Sequence, residues 1–259
     1  VRCAVVGHVE WCDFAVVAHV PPPGQIVEGE PVLSEPAGGG AVVARQIARL
    51  AGRCEFFTAL GADDVGHRAV KRLAELGLDV HAQHFGTTRR GWVHVDEGGE
   101  RTITVVGPKL RPRGPLPLEG YDLVFFVAGD VEALRSARAA RFLAAATREL
   151  PTLRAGGVAL DLLVGSGSDP TEAYDGSLDA AVVAITDGPR GGSANGVRWD
   201  PAPLPGQLVD AYGAGDSTGA ALAFALARGD ALPDALALAA RAGAAVLTGR
   251  GPYTAQIRS

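Results

Sequence analysis

The feature that most constrains this chain is its alternation of short, mostly apolar runs with longer amphipathic stretches. Residues 3–7, 55–60, 123–127, 158–163 and 181–186 read as strands, most of them apolar enough to be buried on both faces. Between them, residues 41–51 place Val42, Ile47 and Leu50 at helical spacing and stop at Gly52. Residues 65–76 put Val70, Leu73 and Leu76 on one side and end at Gly77. Residues 131–150, rich in alanine, read as one helix, and residues 214–228 and 233–247 as two apolar C-terminal helices. Parallel neighbours need long crossover connections, and helices supply them. The pattern therefore predicts an α/β fold with a mostly parallel central sheet between helices.

Two segments, about 14–34 and 91–106, break that rhythm. In the second, Trp92 to Val95, the turn Asp96-Glu97-Gly98-Gly99 and Arg101 to Val105 form a hairpin signal. Both read as short antiparallel strands, expected to pair in space as a small β-sheet lid over a cleft. The 259 residues, 47% of them hydrophobic, suffice for one such domain spanning 1–259. A net charge of −5 with no basic run gives no support for nucleic-acid binding. Cys3, Cys12 and Cys54 lack metal-type spacing and suit reduced thiols in a cytoplasmic protein. No apolar run is long enough to span a membrane, so no membrane partner is expected.

The most informative local segment is Asp210-Ala211-Tyr212-Gly213-Ala214-Gly215-Asp216, which opens a long apolar helix. Glycines at 213 and 215 let the backbone turn tightly and approach a ligand. Successive amides at a helix N-terminus attract anions. An aspartate in that first turn could take a proton from a hydroxyl attacking a phosphate held there. It could equally serve as a helix cap that favours the dipole.

That segment resembles the C-terminal signature of the ribokinase-like (phosphofructokinase B type) carbohydrate kinases, usually D-T-x-G-A-G-D, with Ala211 in place of the threonine. The resemblance implies a three-layer ribokinase-like sandwich. It also implies ATP-dependent phosphorylation of a hydroxyl on a small sugar-like or nucleoside substrate. Asp216 would be the catalytic base, and the Gly213, Ala214 and Gly215 amides the anion hole. Pro36-Ala37-Gly38-Gly39-Gly40 resembles the family's double-glycine motif, which implies substrate contacts at Gly38 and Gly39. Gly61, Asp63 and Gly66 are similar to a largely structural G-x-D-x-x-G segment. Thr186, Gly188 and Gly191 resemble a nucleotide loop. The family also implies Mg²⁺, a monovalent cation, and a homodimer formed through the lids.

The departures are specific. Val43 stands where the family's helix carries an asparagine. Asp169-Pro170-Thr171-Glu172 stands for the magnesium-organising N-x-x-E, leaving Asp169 and Glu172 as the candidate metal residues. The stretch from Asp161 to Thr186 is short for a strand and a helix. Asp13 is the expected contact for substrate hydroxyls, with Glu10 as its rival. His8 is a pocket or buried polar residue, and Arg89 and Arg90 precede the lid hairpin. A second hypothesis, favoured by these departures, is a non-catalytic binding or regulatory protein on a kinase scaffold. A nicotinamide-binding fold would need a glycine-rich turn directly after the first strand, and Gly7-His8-Val9-Glu10 does not supply it.

Overall fold

A computed structural model describes residues 1–258. The chain opens with β1 (Cys3–Val6), which runs through the core and alternates its side chains between two faces. Cys3 and Val5 join one hydrophobic cluster, while Ala4 and Val6 join the other. Next come β2 (Glu10–Val17), β3 (Gly29–Ala37) and α1 (Gly39–Ala51). Then follow β4 (Glu55–Leu60), α2 (Asp64–Glu75), β5 (Asp79–His84), β6 (Arg90–Val95) and β7 (Arg101–Val106). The second half runs β8 (Leu123–Phe126), α3 (Val131–Ala137), β9 (Phe142–Ala146), α4 (Leu150–Gly156), β10 (Leu160–Ser166) and β11 (Ala180–Thr186). It closes with β12 (Gly192–Ala194), β13 (Val197–Trp199), α5 (Ala214–Arg228) and α6 (Leu232–Val246).

Nine strands form the main sheet in the order β13-β12-β11-β10-β9-β8-β1-β4-β5. Every pair from β11 to β5 is parallel, and only the two outermost pairings, β11 with β12 and β12 with β13, are antiparallel. The cluster on one face takes side chains from α1, α2, α5 and α6; the cluster on the other takes them from α3 and α4. This is the expected three-layer α/β sandwich, with no helix long and apolar enough to cross a membrane among the described residues.

The two interrupting segments do pair, as the four-stranded sheet β3-β2-β6-β7. Its strands extend beyond the expected bounds: β2 begins at Glu10 and β3 continues to Ala37. The β2–β6 pairing is parallel, because the two strands come from separate excursions of the chain.

One expected element is corrected. Residues 131–150 are not a single helix but α3, the strand β9 and a 3-10 turn at Thr147–Glu149 leading into α4. The segment Phe142–Ala146 sits fully inside the parallel sheet, where a short apolar run is compatible with either state and tertiary pairing decides. The short stretch after Asp161 is real: β10 and β11 are joined through a single 3-10 turn, Pro170–Glu172, in place of a helix.

Candidate active site

β1, β8, β9, β10 and β11 run parallel, so their C-terminal ends share one edge of the sheet, and the crevice outside such an edge is where open parallel sheets hold ligands. The first turn of α1 is pressed against the end of β1. A side chain at Gly40 would meet the His8 carbonyl at 2.5 Å, and one at Gly7 would meet the Gly40 Cα at 2.7 Å. Only backbone fits this crossing. The result places Gly39 beside Asp216, where an added Cβ would lie 3.0 Å from the Asp216 Oδ1. Gly38 caps α1 with φ 91°, and its N–H donates to the Tyr212 hydroxyl at 2.9 Å. The double-glycine turn and the Gly213-Ala214-Gly215 turn are thus joined directly.

Gly213 caps α5 in the left-handed conformation, φ 80°. The turn before it is fixed by Asp210, which is buried and accepts from the Tyr212 N–H and the Gly251 N–H, each at 2.8 Å. Gly215 is exposed, with open space where a side chain would stand, while Gly213 is buried and the Ala214 N–H donates weakly to the Ala211 carbonyl at 3.5 Å. Asp216 lies in the first turn of α5. Burial raises its carboxyl above the ordinary aspartate range, partly offset by Arg148, Arg101 and Lys109. A carboxylate held this way is a stronger base than a solvated one.

Glu10, and not Asp13, shares the field of the cations near Asp216. Glu10 is buried, 2.9 Å from the Arg89 guanidinium and 3.8 Å from His8 Nε2. Its carboxyl is pushed up by burial, against the pull of Arg89, Lys109 and Arg148. His8 is held neutral by burial and by the same cations, and its Nδ1 has no protein partner. Asp13, further along β2, accepts from Ser34 Oγ at 2.5 Å and from Arg90 at 2.7 Å. Burial would raise its carboxyl, but those two donors outweigh it and hold it low. Asp13 is therefore engaged inside the lid sheet. Asp63 ties that sheet to α2: it caps the helix through Gly66 N–H at 2.8 Å and binds the Thr88 N–H at 2.7 Å, just before Arg89.

Asp169 and Glu172 come together around Arg148, at 3.1 and 2.7 Å. Glu172 also accepts from Thr147 Oγ1 at 2.8 Å and Ser166 N–H at 3.1 Å, and Asp169 from Thr171 N–H at 2.9 Å. The oxygens of both carboxylates are thereby occupied. Among the described residues no group of three or more His, Cys, Asp or Glu side chains could hold a metal. A metal ion ligated directly by this pair does not fit. Thr186 ends β11 and donates to the Gly165 carbonyl at 3.2 Å, and Gly188 and Gly191 bound the 3-10 turn that follows. This places the predicted nucleotide loop next to the β10 end that carries Ser166. Lys109 and Arg111 both reach Glu149, at 3.1 and 3.2 Å, and pin the segment after β7 to the start of α4.

Arg148, Lys109 and the Glu10–Arg89 pair carry much of the local charge, yet the sequence singles out neither Arg148 nor Lys109. Arg148 was hidden because its segment reads as helix; a strand ending at Ala146 would have placed it at the crevice.

The comparisons agree with this architecture. The pfkB family carbohydrate kinase model matches residues 2–149 and 163–258. The chain belongs to that family. No curated protein matches it. Among solved structures it is similar to a microbiome-derived acarbose kinase, with 21% identity, TM-score 0.80, and 99% of this chain and 96% of that one covered. It is similar to phosphofructokinase-2 from Escherichia coli, with 22% identity, TM-score 0.75, and 100% and 96% covered. It is also similar to a ribokinase from Cryptococcus neoformans in complex with ADP, with 18% identity, TM-score 0.74, and 99% and 96% covered. At these identities the likeness shows the fold.

Proposed function

We propose that the protein transfers a phosphoryl group from ATP to a hydroxyl of a small sugar-like substrate. One observation carries the proposal: a half-buried carboxyl, Asp216, raised by desolvation in the first turn of α5, beside Gly39, whose missing side chain leaves room for the acceptor. In this reading the acceptor hydroxyl lies between Gly39 and Asp216 and gives its proton to the carboxylate as it attacks. The amides at Gly213, Ala214 and Gly215 and the α5 dipole stabilise the charge on the transferred group. Thr186, Gly188 and Gly191 line the nucleotide end. Glu10 accepts hydrogen bonds from other hydroxyls. Magnesium arrives on the nucleotide as part of the substrate. The exposed strand β7, with Ile103, Val105 and Val106 uncovered, supports pairing of two lids in a homodimer.

The second hypothesis, a ligand-binding protein without turnover, is favoured by the Arg148 clamp on Asp169 and Glu172. ADP formation from MgATP across a panel of sugars, polyols and nucleosides separates the two. Acceptor-dependent turnover that disappears in Asp216→Asn supports the kinase. Tight acceptor binding with no ADP from any of them sinks it.

A further inference from the structure

Two of the four tyrosines meet at one short turn. Pro36-Ala37-Gly38 leads into α1, and the three glycines at 38, 39 and 40 give this stretch many conformations to lose on folding. Gly38 is held at φ 91°, ψ 155°, a region essentially closed to other residues. Two buried hydroxyls hold it there. Tyr212 Oη accepts from the Gly38 N–H at 2.9 Å, and Tyr253 Oη donates to the Pro36 carbonyl. Two successive peptide groups are thereby fixed, one through its carbonyl and the next through its N–H. Residues 36 to 38 are themselves buried, so water is a poor substitute for either hydroxyl.

Each tyrosine is anchored in turn. The Tyr212 ring meets Phe14 of β2 edge-on, with centroids 5.0 Å apart. Asp210 accepts from the Tyr212 N–H and from the Gly251 N–H, and so ties the turn before α5 to the segment that carries Tyr253. Gln256 Nε2 donates to the Val42 carbonyl and Gln46 Nε2 to the Ile257 carbonyl, each at 3.0 Å, which lays the rest of that segment along α1. Burial pushes both phenols well above their ordinary range, so both keep their protons at neutral pH.

What this arrangement fixes is the next residue, Gly39, where an added Cβ would lie 3.0 Å from the Asp216 Oδ1. A turn free to sample other glycine conformations would move that backbone, and a misplacement of about 1 Å can cost about 100-fold in rate. We propose that Tyr212 and Tyr253 are positioning residues, whose hydroxyls pre-organise the Pro36–Gly39 turn so that an acceptor hydroxyl meets Asp216. The assignment rests on the phosphotransfer reading. It adds two residues that act through the backbone of Gly38 and Gly39.

The test compares Tyr212→Phe and Tyr253→Phe with the parent, by thermal unfolding and by steady-state kinetics with MgATP and an acceptor that the parent turns over. Each substitution removes one oxygen and keeps the ring. Well below each variant's Tm, kcat/KM for the acceptor is expected to fall about 10-fold in Tyr212→Phe and about 3-fold in Tyr253→Phe, which acts one peptide further from Gly39. The acceptor KM should rise while KM for ATP stays within about twofold of the parent's. An acceptor KM unchanged in both variants, whatever the fall in Tm, would show that the hydroxyls only stabilise the fold, and overturns the proposal. So does an equal rise in KM for ATP, which would put the loss at the nucleotide end. A parent without turnover on any acceptor overturns the phosphotransfer reading and this assignment together; the first two outcomes overturn this assignment alone.

Discussion

At one end of the proposed site, Gly213, Gly215 and the first turn of α5 offer backbone. At the other, His8, Glu10 and Arg89 present side chains drawn from the end of β1, the start of β2 and the start of β6. The first end is contiguous in the chain and needs no counter-charge beyond a helix dipole. The second is assembled across some eighty residues, from His8 to Arg89, and depends on a buried ion pair. A backbone cradle tolerates few changes of shape but is indifferent to most side chains around it. A side-chain pocket can be rebuilt one residue at a time. The contrast suggests a fixed phosphate end and an adaptable acceptor end.

The largest expected effect breaks the first half of that comparison. Asp216→Asn should lower turnover by about 10²–10⁴-fold with little change in nucleotide affinity, measured by steady-state kinetics and calorimetry. The same variant carries a stability signature. The folded carboxyl lies above its ordinary value of 3.8, so its ionised form is destabilising. Asp216→Asn should match the parent below pH 3.8 and exceed it in stability once the pH rises through the raised value, as urea titrations at several pH values would show. Equal stability at all pH values would contradict the desolvated base.

Next in size is Arg89→Ala, which leaves Glu10 buried without its partner. A loss of about 3 kcal/mol is expected at pH 8. Glu10 is already raised by burial and rises further without Arg89, so protonation relieves the deficit. The loss should shrink as the pH falls through the variant's Glu10 value; a deficit independent of pH would show that Arg89 matters by packing alone. The smallest effect sharpens the boundary between the two ends. Asp63→Ala removes the α2 cap and the Thr88 tie, costing about 2 kcal/mol in denaturant unfolding. It should raise KM for the acceptor more than it lowers kcat, because it loosens the lid strand that carries Arg89 and not the α5 turn.

The same contrast explains what could be read from the sequence. The parallel sheet and most helices were legible because their apolar periods are long. The Gly213 to Asp216 turn was legible because its elements are adjacent. The acceptor end was only partly so: Asp13 and Glu10 differ by three positions, and strand direction alone decides which faces the buried cations. The error at residues 131–150 came from alanine, which favours helices yet packs well in a strand crowded by neighbours on both sides. That error also concealed Arg148, whose position follows from the end of β9. Asp169 and Glu172 were found as a pair, but nothing in their spacing revealed the guanidinium between them.

The Lys109–Glu149 pair has a consequence for chemical labelling. Of the two side-chain amines, Lys71 stands in solvent on α2, while Lys109 is largely covered and tethered to a buried carboxylate. Amine acylation therefore yields a two-channel signal, with Lys71 as a built-in reference for reagent dose. The Lys109 channel reports, in unmodified protein, on whether the strap behind the lid is seated or released.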